Sequence, residues 1–168
     1  MKLMNGVAEL ACQLEAFWKE VGMTYQDYCR GRSPVGRASR GAAEWEEYLE
    51  TYPDRETFYR ACVQYCATGL ENELRVLKEA ISIDIESNYF VEVLWNMKCR
   101  HDEILPSLMG DVSRNVRMQT VWLLRDIGEP WALAKLREMR ADETDTLVMD
   151  QLNGVIAFME DRDSLDLV

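Results

Sequence analysis

Chemistry in this 168-residue chain would have to run through one histidine, five cysteines and thirty carboxylates, set against nineteen Lys and Arg. Any histidine-based triad must use His101, which stands between Arg100 and Asp102 at a corner between two expected helices. No nucleophile lies at a supporting spacing, so His101 reads as a surface or capping residue. Cys62 and Cys66 lie one helical turn apart on one face. A thiol pair that binds zinc needs further ligands at short spacing, and none follows, so both read as small buried apolar residues. Cys12, Cys29, Cys62, Cys66 and Cys99 are odd in number and scattered, the pattern of free thiols in a reducing cytoplasm. Glu-x-x-His, His-Glu-x-x-His, calcium-loop and Walker patterns do not occur. Thirty carboxylates permit so many glycosidase-like dyads that they single out none. The expectation is no catalytic residue, no metal ligand and no cofactor.

What the side chains exclude, the overall charge helps to replace. The formal net charge is −11, and 48% of residues are hydrophobic, with five Trp, seven Tyr and nine Met. That apolar content belongs to a folded globule, and the length fits one domain with a sizeable core. An acidic chain is a poor nucleic-acid binder, because phosphate contact needs clustered Lys and Arg. A basic protein would instead be attracted and steered in. The amino-terminal residues carry one Lys and are interrupted by Asn5, Gly6 and Glu9, unlike a signal peptide. No apolar run approaches the roughly 18 residues of a membrane span. The chain is expected to be cytoplasmic, with no membrane contact.

The elements that position these side chains are helices. The central stretch runs from Asn115 to Met139. Val116, Thr120, Leu123, Leu124 and Ile127 form one helical stripe, and Met118, Val121 and Trp122 widen it, so this helix should be covered on more than one side. Gly128 stands where a left-handed C′ residue is needed, and Pro130 suits the first turn of a second helix. There Trp131, Ala132, Leu133, Leu136 and Met139 give a second apolar face, with Lys135, Arg137, Glu138 and Arg140 as the wet side. Two antiparallel helices are predicted.

Before this hairpin, residues 5–20 form an amphipathic helix with Val7, Leu10, Leu14, Phe17 and Trp18 inward, and 24–29 extend it after Gly22. Residues 30–41 hold Arg30, Arg32, Arg37 and Arg40 among Gly, Ser and Pro with no acid. This stretch reads as a solvated loop that could also bind an anion or fold onto an acidic face. Residues 42–51 make a short acidic helix around Trp45 and Leu49. Asp54 caps a helix carrying Phe58, Ala61, Cys62, Tyr65 and Cys66, and a second runs from Glu71 to Ile81 with Leu70, Leu74, Leu77 and Ile81 on one stripe. Residues 86–98 and 102–109 are expected to pair as another hairpin, with Pro106 shortening or kinking its second helix. A last helix spans about 145–160.

Asp111, Val116-Arg117, Leu124, Ile127-Gly128, Pro130, Ala132-Leu133 and Leu136 together resemble the bacterial form of the HEAT repeat. Units of that family carry a Val-Arg pair, an Ile-Gly corner, a Pro and an Ala-Leu pair at this spacing. A shift of 31 residues pairs Val116 with Leu147, Met118 with Met149, Val121 with Leu152, Leu124 with Val155 and Ile127 with Phe158. A shift back by 27 pairs Asn115 with Asn88, Val121 with Leu94, Trp122 with Trp95 and Leu124 with Met97. These periods belong to helical solenoids. The resemblance implies an all-α single domain over 1–168: amino-terminal helices and the Arg-rich loop in 1–52, then stacked antiparallel HEAT-like hairpins over 54–160.

HEAT-like stacks generally present an extended face to a partner. In composition and architecture the chain also resembles the immunity proteins that neutralise bacterial toxins. That resemblance implies a non-enzymatic binder that occludes a basic partner, with a cognate toxin domain as the expected one. Glu71, Glu73, Glu103, Glu129, Glu138, Asp142 and Glu143 would pair with its Lys and Arg, while Trp45 and Trp131 anchor it. The alternative implied by the HEAT likeness is an enzyme or accessory factor that binds a small molecule, as bilin lyases do.

Overall fold

The computed structural model describes residues 5–31, 53–84 and 87–165. Trp45, the helix expected over 42–51 and the Arg-rich loop beyond Gly31 lie outside the described residues.

All regular structure among the described residues is helical. The elements are α1 (Gly6–Val21), α2 (Tyr25–Cys29), α3 (Arg55–Thr68), α4 (Glu71–Ile83), α5 (Tyr89–Asn96), α6 (His101–Met109), α7 (Arg114–Ile127), α8 (Pro130–Asp142) and α9 (Thr146–Leu165). Their ends follow from local chemistry. The Asn5 side chain accepts from the Ala8 N–H to start α1, and Asp54 accepts from the Glu56 N–H and the Thr57 hydroxyl to start α3. The Thr57 hydrogen bond is foremost in holding the Asp54 carboxyl below its ordinary range. Gly128 ends α7 at φ +67°, with its N–H on Leu124 O, and Pro130 opens α8 at its first turn.

Helix α1 lies on α3 and α4, and Gly6 permits the approach to α3: a Cβ there would stand 2.7 Å from the backbone carbon of Arg60. Leu10, Phe17, Phe58, Ala61, Tyr65, Leu77 and Ile81 close this half of the core. Full burial of one such large side chain contributes about 2–3 kcal/mol. A second cluster joins Val121 and Leu124 of α7 to Leu136, Val148, Leu152 and Ile156. Since α7 also sends Val116 and Leu123 into the first cluster, it is covered on two sides, as its wide apolar surface predicts.

Several expectations need correction. Helices α5 and α6 pack on α7 more than on each other, so residues 86–109 do not form the expected hairpin. The corner between them has no glycine, and Lys98 and Arg100 take positive φ values of 51° and 49°. Helix α6 does reach its expected end at Met109, with Pro106 inside it. Leu70, placed on the inward stripe by its spacing, is the N-cap of α4 and is exposed. The last helix runs on to Leu165. Of the pairs related by 31 residues, Val121 with Leu152 and Leu124 with Val155 are buried together, but Leu147 and Phe158 are exposed where Val116 is buried and Ile127 half-buried. Finally, Cys66 and Cys99 form a disulfide, tying α3 to the α5–α6 corner, while Cys12, Cys29 and Cys62 are free. Cys62 is buried as its spacing predicts; Cys66, one turn on, is only half-buried and faces the corner that brings Cys99 to it.

Candidate functional site

The surface features converge on one ion pair. Lys78 of α4 contacts Asp111 Oδ2 at 2.9 Å and donates to Ser107 Oγ at 2.9 Å, and Asp111 Oδ1 accepts from the Ser113 N–H at the start of α7. A parallel arrangement lies farther along the chain. Arg117 of α7 holds Glu143, whose Oε1 accepts from the Thr144 and Asp145 N–H groups ahead of α9. In each case a carboxylate before a helix is fixed by a cation from an earlier helix.

Between α6 and α8 lies a depression of about 650 Å³ lined by Pro106, Met109, Lys135, Glu138, Asp142 and Glu143, among others. Trp131, Lys135, Glu138 and Asp142 follow one another at spacings of four, three and four residues, which places them on one stripe of α8. Trp131 is 39% exposed. Its Nε1 donates to Glu129 Oε2 at 2.9 Å, and its ring centroid lies 6.0 Å from that of Trp95. Trp95 in turn stacks on His101, with centroids 3.7 Å apart and planes 4° from parallel, while His101 Nε2 donates to Trp95 O at 2.8 Å. The single histidine therefore braces an aromatic stack.

The sequence-predicted binding residues do not form one surface. Glu129, Trp131, Glu138 and Asp142 share α8 and its N-cap, all exposed, with Glu138 2.7 Å from Lys135. Glu71 is exposed in a separate depression of about 400 Å³ between α4 and α6, beside Arg75 and Ser107. Glu103 is exposed within 3.7 Å of Arg100. Glu73 is a correction: only 6% exposed, it accepts from Gln64 Nε2 at 2.6 Å and from the Thr68 hydroxyl, so it is occupied between α3 and α4. Glu143 is another, its side chain being 4% exposed and bound to Arg117. Burial works against its ionisation, but the Arg117 hydrogen bonds and charge, with the Asp145 and Thr144 N–H groups, outweigh it and hold the carboxyl below its ordinary range.

Comparison with protein families, with characterised proteins and with solved structures finds no match.

A larger cleft of about 800 Å³ also borders the Lys78–Asp111 pair, lined by Trp18, Tyr25, Cys29, Arg75 and Glu79 among others. Trp18 Nε1 donates to Glu79 Oε1 at 2.6 Å. Burial pushes the Glu79 carboxyl above its usual range and raises the Cys29 thiol and the Tyr25 hydroxyl; the Tyr28 hydroxyl is pushed up to about 12 for the same reason. Cys29 is thus held as a thiol at neutral pH, the unreactive form. Such a cleft has apolar walls and fixed polar groups without an activated nucleophile. Trp18 and Glu79 are 61 residues apart, so no motif could announce it. Among the described residues no three His, Cys, Asp or Glu side chains are placed to hold a metal, and no described helix is long and apolar enough to cross a membrane.

Proposed function

We propose that this chain is a non-enzymatic protein-binding module that docks a basic partner across the α8 face and occludes it. The stripe Trp131, Lys135, Glu138, Asp142 carries this reading, because it sets an exposed aromatic one turn ahead of Lys135, Glu138 and Asp142, which line a depression. Trp131 is held by Glu129 and backed by Trp95 and His101, and the α5–α6 corner behind that stack is tied to α3 by the Cys66–Cys99 disulfide. An anchor already ordered loses little side-chain freedom on binding, which favours affinity. The net charge of −11 supplies long-range attraction for a cationic partner. A toxin domain neutralised by occlusion is the partner class that best fits an acidic helical chain of this size.

The test is association with basic proteins recovered by the purified chain, comparing wild type with Trp131→Ala and with Glu138→Lys combined with Asp142→Lys. Reversal should slow association and flatten its salt dependence, and Trp131→Ala should speed dissociation. Unchanged rates in both variants would remove α8 from the interface.

The cleft beside Trp18 supports a second reading, an accessory factor that carries a small apolar molecule with a polar group for Glu79 or Lys78. Native mass spectrometry of the purified chain should then reveal a bound small molecule that Trp18→Ala releases.

A further inference from the structure

The outward face of α9 is written as an interhelical seam. Toward the core α9 buries Val148, Leu152, Val155, Ile156 and Met159. On its other side Leu147, Gln151, Gly154, Phe158, Asp161 and Leu165 succeed one another at spacings of four, three, four, three and four, and every one is exposed. This alternation is the seam of a coiled coil. Leu147, Phe158 and Leu165 are 52%, 58% and 75% exposed, a large apolar exposure for one helix. Gly154 stands mid-helix, where glycine costs about 1 kcal/mol relative to alanine, yet a Cβ there would meet nothing within 4 Å among the described residues. No described residue uses the space that the missing side chain leaves.

We propose that two copies of this chain pair through α9, antiparallel about an axis beside Ala157. In that register Leu147 of one copy meets Leu165 of the second copy, Gln151 meets Asp161, and Phe158 enters the space above Gly154; symmetry repeats each contact. Along the exposed flank Asp150 meets Ser164, and Ala157 meets its own equivalent at the axis, where small side chains let the helices approach. No two carboxylates stand opposite each other, and the Gln151 amide can donate to Asp161. An isologous interface must be complementary to itself, and this sequence satisfies that condition at every layer from Leu147 to Leu165. A basic partner would instead need carboxylates in the seam, where only Asp161 supplies one.

Each copy carries −11, so screening by salt strengthens this pairing, the reverse of its effect on a basic partner. Sedimentation over a concentration series at low and high salt tests it, with wild type, Phe158→Asp, Ala157→Cys and the control Ala134→Cys, also at an exposed position. Wild type should shift toward dimer with concentration, and more so at high salt. Phe158→Asp should sediment as a monomer with unchanged helix content, and Ala157→Cys should crosslink under oxidation well beyond Ala134→Cys and the parent. A monomer throughout at high salt overturns the proposal, as does a dimer indifferent to Phe158→Asp or a crosslink no stronger than the control's. If wild type stays monomeric and Phe158→Asp abolishes recovery of a basic protein, the seam belongs to that partner.

Discussion

Arg117 grips Glu143 with two hydrogen bonds, Nε to Oε2 at 2.8 Å and Nη2 to Oε1 at 3.1 Å. Its third nitrogen donates to Asp111 O at 2.7 Å, so one guanidinium joins the start of α7 to the start of α9. Replacing it leaves a carboxylate that is almost wholly buried without its cation. Arg117→Met is expected to cost about 3 kcal/mol in urea denaturation, the low end for breaking a buried pair. Glu143→Gln, which keeps an acceptor for the Thr144 and Asp145 amides, should cost less. Because the folded state lowers the Glu143 carboxyl, its contribution is fully present above the unfolded value near 4.5 and is lost as pH falls through the folded value. The gap between wild type and Glu143→Gln should therefore close in acid.

Glu71 and Glu73 separate surface from interior within one turn of α4. Glu73→Lys buries a cation among the groups that now satisfy the carboxylate, and a loss of about 3 kcal/mol or more is expected. Glu71→Lys should change stability by less than about 0.5 kcal/mol. Equal melting temperatures for the two variants would contradict the placement of Glu73.

The Cys66–Cys99 bond closes a loop of 33 residues, for which loop-closure entropy gives a stabilisation of about 3–4 kcal/mol. Dithiol reductant should lower the melting temperature of wild type and leave that of Cys66→Ser with Cys99→Ser unchanged. In denaturant, three thiols should react before reduction, those of Cys12, Cys29 and Cys62.

Glu79 gives the opposite sign to Glu143. Burial raises its carboxyl in the folded state, so below the unfolded value near 4.5 it costs nothing, and above the folded value the ionised form weakens the fold. Glu79→Gln retains the acceptor for Trp18 Nε1 and should be more stable than wild type at neutral pH, with the advantage fading below pH 4.5. Denaturation at several pH values checks this.

Sequence periodicity identified the helices well where apolar spacing was regular and the ends carried their own chemistry. Asp54, Gly128 and Pro130 marked their boundaries because a capping acceptor, a left-handed residue or a first-turn proline is a local requirement. Residues 86–109 misled because α5 and α6 turn toward α7, and the corner is made by Lys98 and Arg100 at positive φ, where no glycine signals a turn. Cys99 looked like a stray thiol since its partner is brought by that same corner. Glu73 looked like its exposed neighbours because its hydrogen bonds come from Gln64 and Thr68 on another helix. The α8 stripe was half visible: Trp131, Glu138 and Asp142 were named from composition, but the support of Trp131 by Trp95 and His101 needs the fold.

Docking of a basic partner on α8 is tested most directly by capture with the immobilised chain from the source cell's lysate and from the products of adjacent genes, at low and high salt, beside Glu138→Lys combined with Asp142→Lys. One basic protein should be held in stoichiometric amount by wild type, weakened by salt and lost with the reversed charges. Equal capture by the variant, or no protein retained by wild type at low salt, would contradict it.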